Sequence, residues 1–395
     1  MNWLIGDKTA SIDIDSRISI ISMVVLSVIG PCVFILQPGY VQGLVQYLGF
    51  DEIQAGYIAS TEMFGVAAST IVMVLISAKF NWRMLVAFCL GLSSIGNLLS
   101  LSVTDFDTLR VTRFITGLGS GGVISLGFTM MGLTQKADRN FGYAITWVLI
   151  YGALGLLVMP TAFESIGMDG VLIFFALFCL SGIYFIRFLP TGKREKKVDS
   201  VVDAADYTPI IKGTSLAAIL LYNIAIGITW AYLFLLGLEA NISEQGVANV
   251  LTISQFLGIA GAFIAVILQL KIGRIIPLMV GLLGGGLSVY FLVGVVDYFY
   301  YSAGVYLFNL LWNLSMPYLL ATLADFDRTA RIVTWGVAMQ MIGTAIGPSV
   351  AAYILSLSNY DNVYMVATVL FIVSALLLLP GLLAQKKVNM QAASQ

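Results

Sequence analysis

Histidine is absent from this chain of 395 residues. That removes the side chain that most often carries a proton near neutral pH and most often binds a metal. Cysteine is scarce. Cys32, Cys89 and Cys179 are the three present, each inside an apolar run. They make no metal or redox spacing and read as small buried hydrophobes. Charge is scarce too: 10% of residues are charged, against about 25% in soluble domains. The net charge of −1 lacks the basic excess that a nucleic-acid surface requires. Neither an acidic cluster nor a phosphate-cradling Gly-Lys loop occurs, so no metal, no cofactor and no ATP-driven step is expected, and the chain is not read as an enzyme.

Apolar residues are abundant instead. They make up 59% of the chain, and the mean hydropathy is +0.94. A water-soluble fold of this length cannot hide so much apolar surface, so the lipid bilayer is the expected solvent. A helix needs about 20 apolar residues to cross it. Twelve runs qualify: 18–47, 53–78, 83–103, 108–133, 141–163, 168–190, 210–238, 243–270, 275–296, 300–324, 330–357 and 361–384. The expected fold class is therefore an all-α membrane protein with twelve transmembrane helices. A single long polar segment interrupts them, with Lys193, Arg194, Lys196 and Lys197 followed by Asp199, Asp203 and Asp206. It gives a cytoplasmic N-terminus at 1–17, a six-helix bundle at 18–190, a linker at 191–209, a second bundle at 210–384 and a tail at 385–395. Eighteen of the 20 Lys and Arg residues fall at the termini or around the loops after even-numbered runs. By the positive-inside rule both termini are expected in the cytoplasm, with the chain multi-pass in the plasma membrane, or the inner membrane if bacterial.

The two halves echo each other at an offset near 190. Asp138-Arg139 with Thr146-Trp147 recurs as Asp327-Arg328 with Thr334-Trp335. Gly152 and Gly155 match Gly343 and Gly347, and Lys79 and Arg83 match Lys271 and Arg274. Thr61-Glu62 through Gly65 matches Ser254-Gln255 through Gly258. Halves with the same topology are related by an axis along the membrane normal and face a central cavity. The stretch from Arg113 to Gly117 and Gly119 in the fourth run, and Gly343 to Gly347-Pro348 in the eleventh, resemble the major facilitator superfamily over essentially the whole chain. The resemblance implies two pseudo-symmetric six-helix bundles and a cavity lined by runs 1, 4, 7 and 10. The family's loop motif after the second run is reduced here to Lys79, Asn81 and Arg83, without its aspartate. The helix 5 signature of many antiporters is reduced to Gly152 and Gly155, with Pro160 beyond.

An ionisable residue at membrane depth is costly and marks function by default. Glu62 and Arg113 qualify. At 1.5 Å per residue they lie roughly 14 Å and 8 Å below the outer end, within an arginine's reach of each other. In the second half Glu62 corresponds to Gln255, and Arg113 to Val305 or Tyr306. The two charges thus belong to one half, as a coupling site would, and the alternative is an ion pair that locks two helices. Arg113 also suits a substrate carboxylate. In the first run Gln37 and Tyr40 share a face, with Pro38 placed to kink the helix. Tyr222, Asn223 and Trp230 stand out in the seventh run, and Asn309, Trp312 and Asn313 in the tenth. With Gln255 these complete the candidate substrate set, although a buried amide can equally bond a neighbouring helix. Gly117, Gly119 and Gly122 match a dinucleotide-binding pattern literally, but inside a membrane helix they read as packing residues.

The expectation is a secondary transporter working by alternating access as a functional monomer, with proton-coupled uptake of an organic anion or similar metabolite. Its partners would be a small-molecule substrate, protons and the bilayer, with no nucleic acid. The alternatives are proton-coupled efflux of a drug or metabolite, and a membrane sensor on the same scaffold. A sensor would need a signalling domain, for which 385–395 is too short.

Overall fold

A computed structural model describes residues 12–77, 79–191, 207–268, 273–294, 296–324 and 331–393. The basic linker residues, Lys271 and Asp327-Arg328 lie outside them, as do the side chains of Asp138 and Thr334. Every regular element among the described residues is a helix, without a strand. The chain divides into two compact units, Met1–Lys197 and Val198–Gln395.

In the first unit the elements are α1 (Arg17–Ile29), α2 (Cys32–Ile35), α3 (Gln37–Gln46), α4 (Glu52–Ile76), α5 (Trp82–Leu99), α6 (Phe106–Gly132), α7 (Ala137–Ser181) and α8 (Ile183–Ile186). The first apolar run is thus broken into three pieces. Pro31 and Leu36 leave helical geometry, at ψ 17° and 13°. Pro38 sits in the first turn of α3, where its missing N–H costs nothing. The break therefore falls just before Gln37, not between Gln37 and Tyr40, and both remain on one helix.

Residues 139–186 form 48 nearly continuous helical residues, roughly 72 Å at 1.5 Å each and far more than one crossing. Gly167 divides them, at φ 67° and ψ −176°, a conformation open essentially to glycine alone. Tyr151 stacks on Phe178 at 5.3 Å between centroids. They stand on opposite sides of Gly167 and still touch, so the chain doubles back there. The fifth and sixth runs are its two arms.

The second unit holds α9 (Pro209–Glu239), α10 (Glu244–Leu268), α11 (Ile275–Tyr290), α12 (Tyr298–Ala324), α13 (Arg331–Leu357) and α14 (Tyr360–Ala393). Among the described residues seven helical stretches are long and apolar enough to cross a membrane. Their outer faces are apolar: Phe88 is 66% exposed, Phe263 63% and Leu376 62%. Inside lie Ser22, Ser27, Gln42, Ser94 and Asn97. Polar within and apolar without is the arrangement lipid demands.

Glycine sets the helix contacts. A Cβ on Gly117 would strike the carbonyl oxygen of Glu62, and one on Gly121 that of Val66, both on α4. On another face of α6, Gly119 and Gly122 press on Cys89 of α5. The dinucleotide-like pattern is therefore a two-sided packing surface that wedges α6 between α4 and α5. In the second unit Gly261 meets the Leu310 carbonyl of α12, and Gly343 and Gly347 of α13 close on Leu220 and Gly227 of α9. Gly155 of α7 meets the Leu36 side chain, in the break between α2 and α3. The fifth run thus packs on the first as the eleventh packs on the seventh.

Candidate functional site

Arg113 and Glu62 are brought together. Arg113 Nη1 lies 3.7 Å from Glu62 Oε2. Arg113 is 0% exposed and Glu62 5%. The approach follows from the glycines: Gly117, one turn beyond Arg113, lets α6 touch the backbone of α4 at Glu62 itself. The nearer contacts of the arginine lie elsewhere. Nη1 donates to Asn97 Oδ1 at 3.1 Å, and Nη2 donates to the Gly96 carbonyl at 3.0 Å and to Ser100 Oγ at 2.8 Å. Gly96 and Asn97 lie in the last turn of α5, and Ser100 is its C-cap. The guanidinium carbon stands 5.8 Å from the centre of the Tyr40 ring, within reach of a cation–π attraction. Four segments of the first unit therefore meet at one buried charge pair.

The arginine is not fully used. Its Nε makes no hydrogen bond, and neither does Gln37 Oε1, both buried. Gln37 and Tyr40 stand one turn apart on α3 and are 3% and 1% exposed. Asn97, Gly96 and Ser100 were missed by reading the sequence. They are uncharged and look like ordinary polar or small residues of an apolar run. Their spacing on one face, three and four apart, was the only available signal.

The second-unit candidates form two groups. Asn309 Nδ2 donates to Ser254 Oγ at 3.0 Å, which joins α12 to α10. Asn313 Nδ2 donates to Asn309 Oδ1 at 2.9 Å. The two amides lie over Gly258, so this pair ties helices together. Gln255 is buried beside Ser254. Trp230 and Trp312 meet edge to face at 6.0 Å, with Phe308 5.7 Å from Trp312. Trp312 and Asn313 are half-buried. Asn223 is spent on its own helix, where Nδ2 donates to the Ile219 carbonyl at 2.8 Å. Tyr222 presents its ring to Phe371 at 5.4 Å. The helix caps keep the repeat's register: Asp105 accepts from the Thr108 N–H and Asp297 from the Tyr300 N–H, an offset of 192 that sets uncharged Val305 opposite Arg113.

An all-helical chain with lipid-facing apolar surfaces and a buried charge pair in one unit defines a multi-pass membrane protein with a polar interior. Comparison with known proteins specifies which kind. The model of the Major Facilitator Superfamily matches residues 22–335. The chain belongs to that superfamily and is a secondary transporter. Among solved structures it is similar to that of a point mutant of the nucleoside transporter NupG, with a TM-score of 0.72 and 13% identity over 92% of this chain and 99% of that one. At that identity the likeness speaks for the fold. The search of curated proteins gave no match.

Proposed function

We propose that the protein crosses the membrane twelve times with both termini in the cytoplasm. It acts as a monomer, taking up an organic anion or similar metabolite with protons by alternating access. Two bundles, 18–190 and 210–384, joined by the 191–209 linker, would form its halves. The three pieces of the first run count as one span and the two arms of α7 as two, and the remaining long helices supply the rest.

The Glu62–Arg113 pair carries the coupling reading. A carboxylate in a lipid-embedded interior must be neutralised by a proton or by a nearby cation. Glu62 has one cation at 3.7 Å and can exchange its influence for a proton. The repeat copy holds Gln255, which cannot ionise, so the charge is not a requirement of the scaffold. Arg113 Nε and Gln37 Oε1, with Tyr40 alongside, supply a donor and an acceptor not yet used. In the second unit half-buried Trp312, packed edge to face on the buried Trp230, offers an apolar ring surface. Asn313, whose Nδ2 already donates to Asn309, keeps its Oδ1 to accept from a substrate N–H or O–H. Asn309 and Asn223 are spent on helix contacts and are the weaker substrate candidates. The neighbour's nucleoside specificity is a property of that protein, but a ring-bearing solute is compatible with the paired tryptophans.

The purified protein is first screened by thermal shift against organic acids, sugars and cationic drugs. A stabilising compound is then followed in proteoliposomes under an imposed pH gradient. Wild-type protein should accumulate it when the outside is acidic. Glu62→Gln should lose gradient-driven accumulation while still exchanging solute down its own gradient. Normal pH dependence in Glu62→Gln would sink the coupling reading, and accumulation only under the opposite gradient would convert uptake to efflux.

A further inference from the structure

We propose that Asn97 and Ser100 are positioning residues: they hold Arg113 at a fixed distance from Glu62, so that Glu62 can take and release a proton without the arginine moving. The inference rests on the proton-coupling reading and adds the residues that make it work.

A guanidinium has five N–H donors in a rigid fork. Here three hydrogen bonds go to neutral acceptors within five residues at the last turn of α5 and its C-cap: Asn97 Oδ1, the Gly96 carbonyl and Ser100 Oγ. Charge-assisted bonds to a carboxylate run at about 2.7–2.9 Å, whereas Glu62 lies at 3.7 Å. The acid is therefore close enough to feel the charge and too far to hold the side chain. The acceptors are themselves fixed. Asn97 Nδ2 donates to the Ser93 carbonyl at 2.9 Å, which leaves Oδ1 turned to the arginine. Ser100 Oγ donates its single proton to the Gly96 carbonyl at 2.8 Å, which leaves its lone pairs for Nη2. Asn97 is 1% exposed and Ser100 2%, so water does not compete for either.

An arginine held only by an acid swings away when that acid is protonated. An arginine held by three neutral acceptors stays, and its charge remains a fixed part of the field at Glu62. The other titratable or charged groups near the pair are Tyr40 and Cys32 from the first run, Cys179 from the far arm of α7, Tyr151 beside those two thiols, and the part-exposed Arg110 of α6, which donates to Thr61 Oγ1 and pairs with Asp107. None of these five is a carboxylate and Arg110 is paired with Asp107, so Arg113 and Glu62 dominate the charge balance.

The test titrates the full-length protein in liposomes by infrared spectroscopy, with the proton as the probe. The signal is the protonated-carboxyl C=O band that Glu62→Gln lacks. Asn97→Asp places an acid within hydrogen-bond reach of Arg113. That acid takes the arginine's charge and repels the Glu62 carboxylate, so the Glu62 band should titrate about one pH unit or more higher. Ser100→Ala removes one neutral acceptor and frees the arginine to pair directly with Glu62, so the midpoint should fall. Opposite shifts in the two variants support the proposal. A purely structural role would lower the yield of folded protein and leave the midpoint unmoved. Wild-type midpoints in both variants overturn positioning while leaving coupling standing. If Asn97→Asp does not fold, Ser100→Ala decides alone. If no Glu62-dependent band titrates and Glu62→Gln keeps normal pH-dependent transport, the coupling reading itself fails.

Discussion

Single residues in this protein work through hydrogen bonds that terminate backbone or hold charge. Asp105 is one outside the membrane. It caps α6, accepting from the Thr108 N–H at 2.9 Å and the Thr108 hydroxyl at 2.8 Å. These bonds favour the ionised form and hold its carboxyl below the usual aspartate range. A carboxyl with a depressed folded-state pKa adds stability above its unfolded value, near 4, and loses it as the pH falls through the lowered one. Asp105→Ala should therefore melt below wild type at neutral pH, with the gap narrowing as the pH drops beneath about 4. A gap that stays constant in pH-dependent thermal melts would show that the cap does not depend on ionisation. The Asp105 cap and the Asp51–Gln54 capping box follow local sequence patterns, which the hydropathy reading passed over. The cluster of Gly96, Asn97 and Ser100 around Arg113 was not legible in the sequence, because nothing local says which helix an arginine will meet.

At the scale of elements, glycine decides how closely helices approach. A methyl on Gly121 would strike the Val66 carbonyl of α4, while Gly91 on α5 faces open space. Gly121→Ala is expected to cost about 1–3 kcal/mol as overpacking. Gly91→Ala should be neutral, or stabilising by up to about 1 kcal/mol through helix propensity. Thermal melts of the two variants in detergent should separate them, and equal melting temperatures would mean that α4 and α6 can move apart at no cost. The element boundaries show what a hydropathy reading can and cannot do. It located the fifth and sixth runs at 141–163 and 168–190, on either side of Gly167. It could not show that helix continues up to both sides of that glycine, because the reversal needs only one residue at positive φ. It read the first run as one helix, whereas Pro31 and Leu36 break it in two places.

At the scale of the whole molecule, the chain is two compact units that meet in sequence near Lys197 and Val198. Each buries its own polar groups and its own glycine contacts, so each has the makings of an independent fold. Co-expression of 1–197 and 198–395 as separate chains should give two membrane-inserted, protease-resistant fragments. Degradation of either fragment when made without the other would show that one unit needs its partner to fold.

The sequence by itself determined the solvent, the class and the repeat. Hydropathy is a sum over neighbouring residues, and lipid imposes it on every crossing segment alike, so composition and period were enough. It also singled out Glu62 and Arg113, because a charge amid apolar residues is conspicuous wherever it falls. Only the tertiary structure decided what those charges do to each other. It put Arg113 on three neutral acceptors of α5 and its C-cap and kept Glu62 at 3.7 Å. That outcome depends on how α4, α5 and α6 cross, and the crossing is set by the glycine faces of α6 against backbone far away in the chain, which no local pattern encodes.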